Sequence, residues 1–209
     1  MKTNNYDFIA SWYDVLSRIV FLKSQVNAQK EQLSFIKSDQ KILIVGGGTG
    51  WILEEIAKSH DDLQITFVEI SANMIQLAKQ RKCRNNKVSF VHLPIEKFND
   101  QESYDVLITA FLFDNFARNR AEIVFEQLHN TLKENGLWLF SDFSNNHTTS
   151  RWQYYLLKTM YFFFEKVASV EAKELVTMYP YFMKNNYAVL QKKQYYGRFI
   201  DAFVFEKTI

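Results

Sequence analysis

Residues 42–53 read ILIVGGGTGWIL, and four of the chain's six glycines fall within five positions, 46–50. A run of apolar, largely β-branched residues stops at bare backbone. A second apolar pattern then begins at three- and four-residue steps, with Ile52, Leu53 and Ile56. That is a strand, a tight turn and the start of a helix. Glycine lets the main chain bend sharply and lets a ligand approach the backbone closely. In open α/β sheets, the crevice at the carboxyl ends of the strands is where ligands bind.

The rest of the chain repeats this rhythm. KILIV (41–45), QITFVEI (64–70), KVSFVHL (87–93), YDVLITAF (104–111) and GLWLFSDF (136–143) are short apolar bursts. Such near-continuous runs suit parallel strands buried on both faces. Helical spacing occupies WILEEIAKS (51–59), SANMIQLAKQRK (71–82) and RNRAEIVFEQLHNTLKEN (118–135), and IEKFNDQES (95–103) is a shorter connection. Strand alternating with helix predicts βαβ units, with right-handed crossovers placing helices on both faces of the sheet. Residues 6–36 read as helical, with Phe8, Ile9, Trp12, Val15, Leu16, Ile19 and Val20 on one face and a second helix over 27–36. Residues 150–186 read as two helices rich in aromatics. YAVLQKKQYY (187–196) and RFIDAFVFEK (198–207), joined at Gly197, read as a hairpin antiparallel to the other strands. With no repeat, low-complexity tract or linker in view, a single domain over 1–209 is expected.

Composition excludes more than it selects. The net charge is +2, which gives no case for nucleic acid. The densest basic run, KQRKCRNNK (79–87), falls where a helix ends, and cations are favoured there. Its Cys83 is the one cysteine in the chain, so no internal disulfide forms. The four histidines and that cysteine are scattered without ligand spacing, so no metal is expected. The first residues lack the basic-then-apolar layout of a leader. No stretch reaches the ~18 apolar residues that a spanning helix requires. A cytoplasmic location is the expectation.

The glycine spacing separates two cofactor classes. A dinucleotide turn reads G-x-G-x-x-G, and counting from Gly46 puts Trp51 at its third glycine. The pattern G-x-G-x-G fits with Gly46, Gly48 and Gly50. A nicotinamide-dependent oxidoreductase is therefore disfavoured. In ILIVGGGTG the sequence resembles the class I S-adenosylmethionine-dependent methyltransferases, and the resemblance extends over most of the chain. It implies a Rossmann-like, doubly wound sheet: seven strands, mostly parallel, with an antiparallel strand in the C-terminal hairpin. N-terminal lid helices over 1–36 and a helical cap over 150–186, inserted after the fifth strand, complete that expectation.

The same resemblance implies roles. Glu69, at the end of the second strand, is the acceptor for the ribose hydroxyls. Ser71, Met74 and Ala78 match the pattern that follows it, and YDVLITAFLFDNF (104–116) resembles the segment closing over the cofactor. The implied cofactor-binding set is Gly46, Gly47, Gly48, Gly50, Glu69, Ile70, Ile95, Glu96, Ala110 and Tyr13. Two departures stand out. Ile44 replaces an acid often found two residues before the first glycine, and Pro94 stands where an aspartate commonly binds the adenine amino group. Ile95, with Glu96 as the nearest acid, is then expected to hold adenine.

The opening FIASWYDVLSR is similar to the ubiquinone/menaquinone-biosynthesis type, in which Tyr13 and Asp14 lead a lid helix. The aromatic run RWQYYLLKTMYFFFEKV (151–167) offers Trp152, Tyr155, Met160 and Phe163 or Phe164 to a flat apolar acceptor, or to core or dimer packing. Its charged residues rule out crossing a membrane but allow contact with a membrane surface. Asp114 and His147 are the candidate bases, with Asp142 beside them. The leading expectation is methyl transfer to oxygen or carbon of a small aromatic or lipid-like acceptor. A protein of this fold that binds cofactor or a partner chain without turnover is the alternative.

Overall fold

The computed structural model describes residues 23–100, 103–144, 155, 158–159 and 174–208. Among the described residues there are seven strands: β1 (Lys41–Val45), β2 (Gln64–Glu69), β3 (Lys87–His92), β4 (Tyr104–Ala110), β5 (Leu132–Phe143), β6 (Tyr187–Tyr195) and β7 (Ile200–Lys207). They form one sheet in the order β3-β2-β1-β4-β5-β7-β6. The first five strands pair in parallel, and β7 runs antiparallel to both β5 and β6. The hairpin is as expected from sequence, but its second strand lies inside the sheet and its first strand forms the edge.

Strand β1 has β2 on one side and β4 on the other, so the winding reverses there. That reversal opens a crevice at the carboxyl ends of these strands. Alternation along each strand feeds two cores. Leu43, Val45, Leu107, Trp138, Phe140, Phe203 and Phe205 pack on one face. Ile42, Ile44, Ile65, Phe67, Val106, Ile108 and Leu139 pack on the other. Among the described residues, the buried aromatics concentrate on the first face. There Phe125, Trp138, Phe182, Tyr187 and Phe205 contact one another edge-on or stacked. The fully buried Trp138 satisfies its indole by donating from Nε1 to Thr109 Oγ1 at 2.8 Å.

Helix ends depart from the periodicity. The helix expected over 71–82 spans Ala72–Ala78; Ser71 caps it by accepting from the Met74 N–H at 3.2 Å. The basic residues after it serve other backbone: Arg81 Nε donates to the Thr49 carbonyl at 2.9 Å, and Arg84 to the Ala57 carbonyl at 2.9 Å. The helix expected over 118–135 spans Arg118–Thr131, and β5 begins directly after it, four residues before the expected start. A left-handed Asn135 (φ 60°) and a register shift opposite Tyr104–Val106 allow that early start. The helix expected over 27–36 begins at Ser24, runs to Lys30 and tightens into a 3₁₀ turn over Glu31–Phe35. The N-terminal lid through residue 22, with Tyr13, lies outside the described residues, as do His147 and most of the expected cap. From the cap region a short helix, Tyr179–Lys184, packs Phe182 into the aromatic core.

Candidate functional site

A cavity of about 140 Å³ opens at the winding reversal. Its floor is the glycine turn, Gly46–Thr49, together with the strand ends Val68–Ile70 and Ala110. One end is closed by Leu93, Pro94, Ile95, Phe116 and Arg120, and the other by Gln25, Val26 and Gln29. Phe111, Leu112 and Asn115, on the segment after β4, complete the wall.

The turn's conformation explains its composition. Gly46, Gly48 and Gly50 have φ of +67°, +57° and +74°, a region L side chains rarely adopt. Their surroundings differ. A Cβ on Gly48 would find only the Met74 sulfur, at 3.5 Å, so this residue borders open space. A Cβ on Gly50 would lie 2.6 Å from Ala78 Cβ, so Gly50 is bare because the Ala72–Ala78 helix crosses it closely. Gly50 is not on the cavity wall, whereas Trp51 is.

Glu69 is buried at the end of β2. Its Oε2 accepts from the Gly48 N–H at 2.9 Å and its Oε1 from the Ser71 N–H at 2.9 Å. Burial raises its proton affinity, and these backbone donors oppose that rise. The Ile70 N–H joins these donors, and of the carboxylate's about four lone-pair sites some accepting capacity remains for a ligand. Arg81 holds the far side of the turn, through the Thr49 carbonyl and through Glu54 at 3.3 Å.

Of the expected cofactor residues, Gly46, Gly47, Gly48, Glu69, Ile70, Ile95 and Ala110 line the cavity together. Gly50 and Glu96 do not. Glu96 is drawn away by an ion pair with the buried Arg120, which itself faces the cavity. Arg120 also lies over the Phe116 ring, 4.4 Å from its centroid. Sequence reading missed Arg120, Gln25 and Gln29. Arg120 meets Glu96 across 24 positions, the two glutamines bond within one helix, and no local pattern marks any of the three. Phe111, Leu112, Asn115 and Phe116 lie in the segment already set apart by resemblance.

The candidate base Asp114 stands behind this wall, beside Asp142. Asp142 is buried; its Oδ2 accepts from the Phe113 and Asp114 N–H groups at 3.1 and 3.3 Å, and its Oδ1 from Phe143 N–H at 2.8 Å. Burial pushes Asp142 up to about 7 despite these donors. Burial and the Asp142 charge push Asp114 well above the carboxylate range. Its side chain accepts from Asn115 Nδ2 at 2.7 Å, which links the pair to a wall residue. Among the described residues no cluster of histidine, cysteine and acidic groups is arranged to hold a metal. The Cys83 thiol is half-buried, and burial followed by Glu54 raises its proton affinity, which makes it a poor nucleophile.

Residues 42–136 match the family described as a methyltransferase domain. The glycine turn, Glu69, the 93–95 loop and β4 all fall inside that match. Sheet order, turn and match together mark residues 42–136 as similar to a methyltransferase domain, on the fold shared by class I methyltransferases. The chain is 33% identical over 146 residues to a malonyl-[acyl-carrier protein] O-methyltransferase of Priestia megaterium, covering 69% of this chain and 50% of that protein. It spans half or less of the length of the relatives of that name. It is 28% identical over 188 residues to a carboxy-S-adenosyl-L-methionine synthase of Nautilia profundicola, covering 85% of this chain and 80% of that protein. The fold is shared with the N-methyltransferase NodS of Bradyrhizobium japonicum, at a TM-score of 0.61 and 15% identity over 88% of this chain and 93% of that one.

Proposed function

We propose that this chain transfers a methyl group from S-adenosylmethionine to an oxygen or carbon atom of a small aromatic or lipid-like acceptor, in the cytoplasm. The observation that carries this reading is one cavity that joins the Gly46–Gly48 turn, the Glu69 carboxylate and the Ile95 loop. When bound, the cofactor supplies an electrophilic methyl group on a sulfonium. The chain's part is to bind, orient and exclude water.

Gly48 offers open space where a side chain would obstruct the methionine portion. Glu69 is the acceptor for the ribose hydroxyls. Ile70 and Ile95 give the base apolar contact, and Ala110 leaves room beside the sulfur. Gly50 serves by letting a helix close on the turn, and Glu96 by holding Arg120. Tyr13 is assigned to the lid. Asp114, linked through Asn115 to the wall and raised well above the usual carboxylate range by burial and the Asp142 charge, is the first candidate acid–base group, and His147 is the second. Transfer to oxygen is favoured over carbon by the O-methyltransferases among the relatives. The aromatic segment over 150–186 is assigned to the acceptor's cover. Contact with a membrane surface, or with a second copy through that segment, belongs to the same proposal.

Calorimetry tests the reading. S-adenosyl-L-homocysteine is expected to bind at micromolar concentration while NAD does not. Gly48→Val and Glu69→Ala should each abolish that binding. If both variants bind as the wild type does, the site lies elsewhere. Turnover on a panel of phenols, quinols and acyl carboxylates then identifies the acceptor.

A further inference from the structure

Resting on the cofactor site proposed above, we infer that Arg120 reads the nucleobase by donating hydrogen bonds, so that the site takes a 6-oxopurine as readily as a 6-aminopurine. The base end of the cavity is built from Leu93, Pro94, Ile95, Phe116 and Arg120. None of these side chains is a carboxylate, and the one polar side chain among them is a guanidinium, which carries donors and no acceptor. The nearest acid, Glu96, is off the wall and accepts from Arg120 Nε. The amino group of adenine needs an acceptor, and two of the loop's carbonyls already accept from the chain. Ile95 O accepts from Phe98 N–H at 3.0 Å and from Gln127 Nε2 at 2.8 Å, which uses both of its lone pairs. Pro94 O accepts from Lys97 N–H at 2.9 Å.

The guanidinium is well placed to act as a fixed reader. Arg120 is 5% exposed, tethered by Glu96 and stacked on Phe116. A planar guanidinium matches the O6 and N7 acceptors of a 6-oxopurine with two parallel donors. Adenine offers it N7 alone on that edge. A wall built around an acceptor behaves in the opposite way, because an oxo group brought against a carboxylate leaves two acceptors facing each other without a proton.

The test compares S-adenosyl-L-homocysteine with S-inosyl-L-homocysteine by calorimetry on the full chain. The inference expects the inosine compound to bind within about tenfold of the adenosine compound, or more tightly. A preference for adenosine above about tenfold overturns it and leaves the cofactor site standing. Binding of neither compound removes the site reading as well. Pairing Arg120→Met with Glu96→Gln avoids leaving a buried charge alone. That double variant should weaken the inosine compound by about tenfold or more while leaving the adenosine compound within about threefold. Equal weakening of both would assign Arg120 to packing and overturn the inference.

Discussion

A buried carboxylate is tolerated only when donors surround it. Glu69 meets that condition with backbone N–H groups from the turn, from the next helix cap and from Ile70. The same bonds that stabilise its charge therefore shape the turn. Glu69→Gln turns one accepting oxygen into a donor aimed at an N–H group, and we expect a cost of about 1–3 kcal/mol, read as a lower melting temperature. The Asp114–Asp142 pair carries a pH signature. Both groups hold their protons more tightly than they would in the unfolded chain. Between the unfolded value of about 3.9 and about 7, the folded state binds more protons than the unfolded state. The stability this contributes is full below that window and is lost as pH rises through it. Asp114→Asn should remove part of the loss. Melting scans from pH 5 to pH 8 should show the variant gaining on the wild type as pH rises, and a constant difference would contradict the assignment.

At the scale of the elements, the glycine turn illustrates what a sequence can and cannot carry. The spacing groups Gly46, Gly48 and Gly50 as one set, and all three do adopt left-handed backbone. Only the packing divides them. Gly48→Ala meets left-handed strain of about 1–2 kcal/mol and open space, so ligand affinity should fall more than stability. Gly50→Ala meets the same strain and the Ala78 side chain, so we expect about 2–4 kcal/mol in all and a melting temperature lower by several degrees. β1, β2 and β4 were legible because buried parallel strands are apolar along most of their length, whereas the edge strand β3 is largely exposed or half-buried. Helix ends were less so, since Thr131 and Ala78 end their helices through tertiary pairing and packing rather than through glycine or proline. Glu69 announced itself by standing at a strand end after the turn. Arg120 and Glu96 lie 24 positions apart and meet only because a helix start folds against a loop.

For the whole molecule, the sequence contained the number of strands and their parallel habit but not the place of β7. That strand pairs with β5 over Leu137–Phe143 and with β6 over Tyr187–Tyr195, so both its edges are occupied. Proline cannot donate to such a ladder. We expect Ala202→Pro to abolish soluble expression, since Ala202 faces Ser141 on one side and Lys193 on the other. By contrast, Leu190 is the extra residue of a bulge on the edge strand and is exposed, so Leu190→Lys should change the melting temperature by no more than about 2 °C. The arrangement also imposes an order of assembly. A ribosome releases β6 before β7, yet β6 has nothing to pair with until β7 is laid against β5. The emerging protein must therefore wait with the margin of β5 uncovered, or add the two strands together as a ready-made hairpin. That interval is when a chaperone has most to shield.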